Sequence, residues 1–219
     1  MYYDFSAIVK YFPFFLPAAW MTIQVTVVGI LLGVVLGLLT SFSRISENSL
    51  FNIPAKIYIY IIRGTPLLLQ LLFIYFGLRS VFGFKAFTSA TLGLGIHNGA
   101  YIAEIFRGAI QSIAVGQMEA ARSLGMTYYK AMRRIILPQA FKRAIPPLGN
   151  QFIIALKDSS LASAITINEL LLKSQQLASS NYRMMEMLTI AAMFYLFYTS
   201  IFTWLFNKIE TKLAVSGSR

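Results

Sequence analysis

The chain has 219 residues, of which 57% are hydrophobic and 12% are charged, and its mean hydropathy is +0.65. This composition is too apolar for an ordinary soluble domain and predicts an all-α integral membrane protein. Cysteine is absent and His97 is the only histidine. A disulfide framework, a thiolate metal site and a metal site built from several histidines are therefore excluded. The sequence also lacks a GxxxxGK[ST] phosphate-binding loop, which excludes that mode of ATP binding.

Stretches with few or no charges predict five membrane-spanning helices, because a helix needs about 20 apolar residues to cross the hydrocarbon core. No residue from Tyr11 to Ser43 is charged, and this first run is too long for a cleaved signal peptide. In the second span Arg63 is followed by Pro66, which predicts a kink. The predicted spans cover approximately residues 14–42, 54–80, 86–112, 144–168 and 186–207, within one domain of residues 1–219.

The distribution of Lys and Arg predicts the orientation, because short cytoplasmic loops carry the positive excess. The segment between spans three and four is the most basic, with Arg107, Arg122, Lys130, Arg133, Arg134, Lys142 and Arg143. This segment is therefore predicted to be cytoplasmic, with the N-terminus outside and the C-terminus in the cytoplasm. The topology rule and anionic lipid headgroups explain the net charge of +11 better than nucleic-acid binding does.

The cytoplasmic region, approximately residues 114–138, predicts two short helices. Residues 117–124 favour a helix, Gly125 lies where a left-handed residue would end it, and Thr127 can cap the next helix. The second helix is amphipathic and is predicted to close at Leu137 and Pro138; its apolar face comprises Tyr128, Ala131, Met132 and Ile135. This pair of short helices could lie on lipid headgroups or dock on a partner protein.

The spacing of residues in this region resembles the EAA motif of the membrane subunits of ATP-binding cassette importers. Its positions are Glu119, Ala120, Ala121, Gly125, Ile135, Leu137 and Pro138. Three further stretches, RGTPLLLQLLFIYFGL, NGAYIAEIFRGAI and GNQFIIALKDSSLASAI, resemble the polar amino acid permease branch of that superfamily. The resemblance extends from about Trp20 to Leu213.

The resemblance implies a type I ABC importer permease fold in a prokaryotic inner membrane, crossed several times by the chain. It implies pairing with a second permease copy, identical or a sister subunit, and contact with two separate ATPase subunits that bind ATP and Mg. This chain would hold no cofactor and would not be an enzyme. An extracellular or periplasmic binding protein would deliver an amino acid. The EAA residues would form the coupling helix, with Gly125 at a sharp turn and Ala120 and Ala121 close to the ATPase.

Polar residues inside the spans are candidates for the substrate path, because such residues are costly in a membrane. In span three, Gly93, His97, Tyr101, Glu104 and Gly108 lie on one helical stripe, with Asn98 beside it. The stripe suits either close helix packing or an aqueous cavity. Glu104 either pairs with Arg107 or faces the substrate, where it would favour a cationic or zwitterionic amino acid.

Spans two and four add further path candidates. Asp158 and Ser160 could supply an acceptor and a donor for an amino acid, or Lys157 and Asp158 could pair with charges on neighbouring helices. The break expected near Arg63 and Thr65 must face protein or a cavity. The alternatives to an importer subunit are a secondary transporter or a membrane scaffold with an interfacial basic helix.

Overall fold

The structure, a computed structural model, describes residues 6–215, and every regular element in that range is helical. The α-helices are α1 Ser6–Tyr11, α2 Leu16–Ile45, α3 Ser49–Arg63, α4 Leu67–Leu72, α5 Arg79–Phe82, α6 Ala86–Gln111, α7 Val115–Ser123, α8 Tyr128–Ala131, α9 Leu137–Asp158, α10 Leu170–Asn181 and α11 Met184–Val215. Two 3₁₀ segments, Phe12–Phe15 and Ser159–Ile165, and two π segments, Phe73–Gly77 and Met132–Ile136, lie between them.

Helices α2 and α6 form the central pair of the fold, and they cross through glycines. A Cβ atom placed on Gly29 would lie 2.8 Å from Leu94, and one placed on Gly37 would lie 2.6 Å from Ile102. Because the contacting positions advance together along both helices, α2 and α6 run parallel. Glycines spaced by four residues let two backbones approach this closely inside a membrane. This contact was not predicted from the sequence.

Helix α9 runs antiparallel to α6, and α11 in turn packs on α9. Near the ends of α2 and α6, Ile110, Ile113 and Ile136 share one apolar cluster with residues of α9. At mid-helix the α9–α11 contact is tight, since a Cβ on Gly149 would lie 2.7 Å from Phe206. We call the end where α2 and α6 stop, together with residues 112–136, the basic end. The start of α2 lies about 45 Å away along its axis, at 1.5 Å per residue, and we call that the opposite end.

The second predicted span is broken. Helix α3 ends at Arg63, α4 begins at Leu67, and the axes differ by 105°. Pro66 and the residue before it cannot continue a helix, so the expected break near Thr65 is confirmed. Gln70 closes the gap, because its side-chain amide donates to the carbonyl oxygens of Ile62 at 2.9 Å and Thr65 at 3.1 Å. The freed carbonyls thus find protein donors.

Two helical segments in residues 6–215 are long and apolar enough to cross a membrane, Ile8–Ile45 and Met184–Leu213. A third is added if the bent pair of α3 and α4 counts as one span. Helix α6 covers the predicted third span, and the predicted fourth span, residues 144–168, divides between α9 and the 3₁₀ segment that follows it. The five-span count and the orientation of the termini remain predictions, and residues 1–5 and 216–219 lie outside the described range.

The second amphipathic helix does not close at Leu137 and Pro138, as the sequence predicted. It runs from α8 through the π segment into α9, and Pro138 lies in the first turn of α9. The π segment widens the helix just before Pro138, which has no backbone N–H to donate. Its extra residue brings Ile136 onto the buried side, where it is 4% exposed. Tyr128, placed on the apolar face by the sequence, lies before the π segment and is 54% exposed.

The α2–α6 crossing predicts that Gly37→Leu destabilises the protein. The new side chain would overlap Ile102, and overpacking of this kind costs about 1–3 kcal/mol. Gly108→Leu is the matched control in α6, since a Cβ there meets no atom within 4 Å. Thermal unfolding in detergent should show a lower midpoint for Gly37→Leu alone. Equal midpoints for the two variants would show that the crossing tolerates side chains.

Candidate translocation path and coupling region

The polar stripe on α6 faces the broken helix pair. A Cβ on Gly93 would lie 2.6 Å from Leu71, so α4 presses on the stripe at that point. Further along, the Nδ1–H of His97 donates to Gln70 Oε1 at 3.1 Å. The Arg63 guanidinium lies 5.1 Å from the ring centre of Tyr101, a cation–π contact. The break in the second span therefore places Arg63, Thr65 and Gln70 beside His97 and Tyr101.

Glu104 forms the intrahelical pair with Arg107 that the sequence offered as one alternative. Arg107 donates to both carboxylate oxygens, at distances from 2.7 to 3.2 Å. Arg44 Nε lies 3.9 Å from the same carboxylate, and Arg63 lies near enough to interact with it electrostatically. Two guanidinium groups, those of Arg44 and Arg107, thus lie at one carboxylate, and this part of the stripe carries an excess of positive charge.

Asn98 lies off the stripe, in the contact between α6 and α9. Its side chain is 0% exposed. Its amide nitrogen donates to the Leu94 carbonyl at 2.8 Å, and its oxygen accepts from the Gln151 amide at 2.8 Å. A pair of buried amides of this kind holds two helices in register. Asn98 therefore has a packing position, and Gln151, which the sequence analysis missed, is its partner.

Asp158 and Ser160 lie where α9 turns into the 3₁₀ segment, and both are half-buried. Lys157 is exposed. Within the described residues neither Lys157 nor Asp158 forms an ion pair, whereas Glu104 pairs with Arg44 and Arg107, so a pairing of Lys157 and Asp158 with charges on neighbouring helices stays a prediction. The 3₁₀ segment packs against α4 through Ala162 and Ile165. This contact brings Asp158 and Ser160 to the same side of the fold as the broken helix.

A second polar group at the opposite end escaped the sequence analysis. Glu169 is 0% exposed and caps α10, and the Tyr195 hydroxyl donates to it at 2.8 Å. A signal was present, because Glu169 directly precedes an apolar run that begins a helix. Glutamate is uncommon as a helix cap, since Ser, Thr, Asp and Asn are preferred, so the position was not recognised.

The turn between α7 and α8 has the predicted geometry. Gly125 has a φ of 78°, in the left-handed region, and Met126 N–H donates to the Ala121 carbonyl at 3.1 Å. Thr127 caps α8, since its hydroxyl accepts from Lys130 N–H at 3.3 Å. The hinge at Gly125 and the cap at Thr127 are confirmed, and the two short helices form one compact unit.

The EAA residues divide between the two sides of this unit. Glu119 and Ala120 are exposed, and space above Gly125 is open for 4 Å. Ala121, expected to face the partner with Ala120, is only 5% exposed because it lies on the inner face of α7. Ile135 and Leu137 pack against the apolar cluster of α6 and α9, while Pro138 is exposed. The inner residues thus join α7 to the bundle, and the outer ones form a free surface.

Arg143 ties the end of α6 to α9 beside this unit. Its guanidinium donates to the carbonyl and the hydroxyl of Ser112. A cation at a helix C-terminus also interacts favourably with the helix dipole. The end of α6 is therefore held to α9 at the basic end.

A helical membrane chain with a polar stripe against a broken helix, and a rigid charged unit at one end, has the anatomy of a transport subunit that is driven by another protein. The family model for the inner membrane component of binding-protein-dependent transport systems matches residues 29–215. The chain belongs to this family. It is the transmembrane subunit of an ATP-binding cassette importer for amino acids, and ATP hydrolysis lies in a separate subunit.

Individual relatives agree over the whole chain. The glutamine transport system permease protein GlnP of Escherichia coli (strain K12) is 39% identical, covering 98% of this chain and 100% of its own length. The arginine transport system permease protein ArtQ of Bacillus subtilis (strain 168) is 36% identical, with 96% and 97% covered. These matches exclude the secondary transporter and the scaffold as alternatives.

Solved structures agree with the fold. A chain of an amino acid ABC transporter crystallised with histidines matches with a TM-score of 0.91 at 42% identity, covering 97% of this chain and 100% of that one. A chain of the inward-facing MetNI methionine ABC transporter matches with a TM-score of 0.77 at 20% identity, covering 90% and 94%. The second match, at this low identity, shows the fold alone.

The Asn98–Gln151 pair predicts that Asn98→Ala lowers the free energy of unfolding by about 1–3 kcal/mol, because the Gln151 amide is left buried without its acceptor. Substrate affinity should not change, since Asn98 does not face the stripe. Thermal unfolding and equilibrium amino acid binding would be measured on the same preparation. Loss of affinity at unchanged stability would place Asn98 in the path instead.

Proposed function

We propose that this permease carries a polar amino acid with an uncharged side chain, moving as a zwitterion along the stripe. Glu104 supports this proposal, because its carboxylate is already paired with Arg107 and is not free to bind a cationic side chain. Arg63 is exposed and can bind an α-carboxylate. Gln70 and His97 can donate to and accept from a neutral polar side chain, and GlnP, a glutamine permease, supports this class.

The amino acid's ammonium group needs an acceptor, and we assign this to Asp158 with Ser160. Both side chains are half-buried, and the packing of their segment on α4 brings them to the side of Arg63 and Thr65. Because Asp158 lies apart from the Arg63 guanidinium, each group stays available for one of the two opposite charges of a zwitterion. An acceptor paired directly with the guanidinium would not be. Tyr101 would stay stacked on Arg63 and hold it in place.

The stripe itself supports pairing with a second permease copy. Its residues Gln70, His97, Tyr101, Glu104 and Arg107 are half-exposed, and Arg63 is exposed. Polar and charged groups cannot face lipid tails at this cost. They must face water or protein, and a second copy enclosing an aqueous path provides both. An identical copy and a sister subunit would both meet this requirement.

The exposed face of α7 is the proposed contact with the ATPase. Glu119 and Ala120 lie on it, flanked by Val115, which is 72% exposed, and Leu124, which is 82% exposed. A small charged centre between apolar side chains suits a specific protein contact. In this arrangement the basic end is cytoplasmic, two ATPase subunits serve two permease copies, and the opposite end receives the binding protein in a prokaryotic inner membrane.

Substrate recognition is tested with Arg63→Gln. Loss of a charge-assisted hydrogen bond, worth about 1.5–3 kcal/mol, should raise the KM for glutamine uptake by about 10- to 100-fold. The matched control is Lys56→Gln, which removes an exposed cation from the same helix. Uptake of labelled glutamine and arginine would be measured in vesicles holding the complete transporter. Preference for arginine, or an unchanged KM in Arg63→Gln, would contradict the proposal.

Coupling is tested with Glu119→Lys, which reverses the charge at the centre of the α7 face. ATP-driven uptake should fall by about tenfold or more, the factor that corresponds to about 1.4 kcal/mol at a contact. Gln117→Lys makes the same new cation at another exposed position of α7 and should transport normally. Co-purification of the ATPase, measured beside uptake, should fall in Glu119→Lys only. Normal uptake by both variants would move the contact elsewhere.

A further inference from the structure

The opposite end contains a buried polar contact that lies outside the candidate substrate path. The Glu169 carboxyl accepts hydrogen bonds from Leu171 N–H and Leu172 N–H, each at 2.8 Å. It also accepts from the Tyr195 hydroxyl at 2.8 Å, and Thr22 Oγ1 accepts from Leu170 N–H at 3.3 Å. The first turn of α10 is thereby joined to α11 and to α2. We call Glu169, Tyr195 and Thr22 the Glu169 clasp.

The clasp favours two discrete arrangements over a gradual one. Burial raises the pKa of the Glu169 carboxyl, and its three hydrogen bonds act in the opposite direction. Removing the donors while the group stays buried would leave an unsatisfied polar group, which is costly. The clasp is therefore stable when complete, or when Glu169 has moved into water. Contacts with this property are bistable.

Left-handed residues bracket the helix that the clasp holds. Thr166 has a φ of 66° and Tyr182 a φ of 59°, and they are the non-glycine residues with positive φ in residues 6–215. One precedes α10 and the other follows it directly. A β-branched residue such as Thr166 rarely adopts this conformation. Such strained positions concentrate where a segment switches between states.

The remaining contacts of α10 are apolar and lie on one side of the helix, chiefly against α11. Its inner side presents Leu170 and the small residue Ala178 to Phe15, Met187 and Ile190. Its outer side exposes Gln175, Gln176, Ser179 and Ser180. Because α10 also packs on the 3₁₀ segment that follows Asp158, its movement would open the path at that residue.

We propose that Glu169 is a positioning residue that latches α10 as a gate at the opposite end, and that α10 pivots as a unit about Thr166 and Tyr182. The proposal rests on the proposed function only in taking this end as the entry side. The gate is closed while Tyr195 donates to Glu169, and it opens when the ATPases close on ATP. The amino acid then reaches Asp158 and Ser160 from outside.

The experiment measures how accessible position 178 is to a reagent. Ala178 lies on the inner side of α10 and is 3% exposed. Because the chain has no cysteine, Ala178→Cys gives a single thiol in this subunit. A membrane-impermeant maleimide is applied to the complex with its ATPase in nanodiscs, without nucleotide and with ATP and vanadate. We expect slow labelling without nucleotide and about tenfold faster labelling in the trapped state. A tenfold ratio corresponds to the free energy that one strong hydrogen bond contributes. Gln176→Cys, on the exposed side, should react equally in both.

Variants of the clasp decide its role. Tyr195→Phe added to Ala178→Cys should label about tenfold faster without nucleotide, and the number of amino acids carried per ATP should fall. Tyr198→Phe removes a hydroxyl from the same helix, outside the clasp, and should change neither quantity. Glu169→Gln keeps the size of the side chain but loses an acceptor, and it should resemble Tyr195→Phe. It serves if Tyr195→Phe fails to fold.

The outcomes separate this proposal from the substrate assignment. Equal labelling rates in Tyr195→Phe and Tyr198→Phe, or protection of Ala178→Cys that does not depend on nucleotide, would overturn the gate. Nucleotide-dependent labelling in a transporter that ignores glutamine would retain the gate and reject the proposed substrate. Glutamine uptake with Ala178→Cys always protected would do the reverse.

Discussion

The rest of the fold depends on the close crossing of α2 and α6. Glycines at Gly29, Gly33 and Gly37 leave no room for side chains against α6, so the two helices are held in one register. Helix α6 carries the polar stripe on its other side, and α9 is joined to it through Asn98 and Gln151. Lipid provides no hydrophobic driving force between helices, so packing at this distance supplies the attraction. The stripe is consequently presented by a rigid pair.

Around this pair, buried polar groups are satisfied in two different ways. The Asn98–Gln151 pair is complete within the protein and serves as a joint. The stripe is not enclosed, since Arg63 stays exposed and Gln70, His97 and Glu104 are half-exposed. A polar group near lipid must find water or another protein surface. The closed pair and the open stripe therefore differ in their access to water, although both occur on α6.

The two ends of the molecule differ in the same physical terms. At the basic end, Ala121, Ile135 and Leu137 face inward and Arg143 joins α9 to α6, so α7 is packed firmly on the helices above it. At the opposite end, α10 is held by a few directional hydrogen bonds and by one apolar side that packs chiefly on α11. In the proposed mechanism, work enters at the basic end and substrate enters at the opposite end.

Local chemistry allowed much of this to be predicted from the sequence. Pro66 follows Gly64 and ends a helix there, Gly125 adopts a left-handed turn at little cost, and Thr127 caps the helix after it, so these features depend mainly on neighbouring residues. The family likewise follows from the spacing of the EAA residues. Pro138 was predicted wrongly because the π segment before it, which a few residues of sequence do not reveal, accommodates the missing N–H.

Only the tertiary structure decided which polar residues face each other. Asn98 and His97 are adjacent in the sequence, yet the first is buried against α9 and the second bonds to Gln70. Their positions depend on the rotation of α6 about its axis, which the contact with the glycines of α2 sets from another part of the chain. The sequence by itself determined the membrane class, the breaks and caps, and the motif; the roles of the stripe, the joint and the clasp required residues far apart to meet.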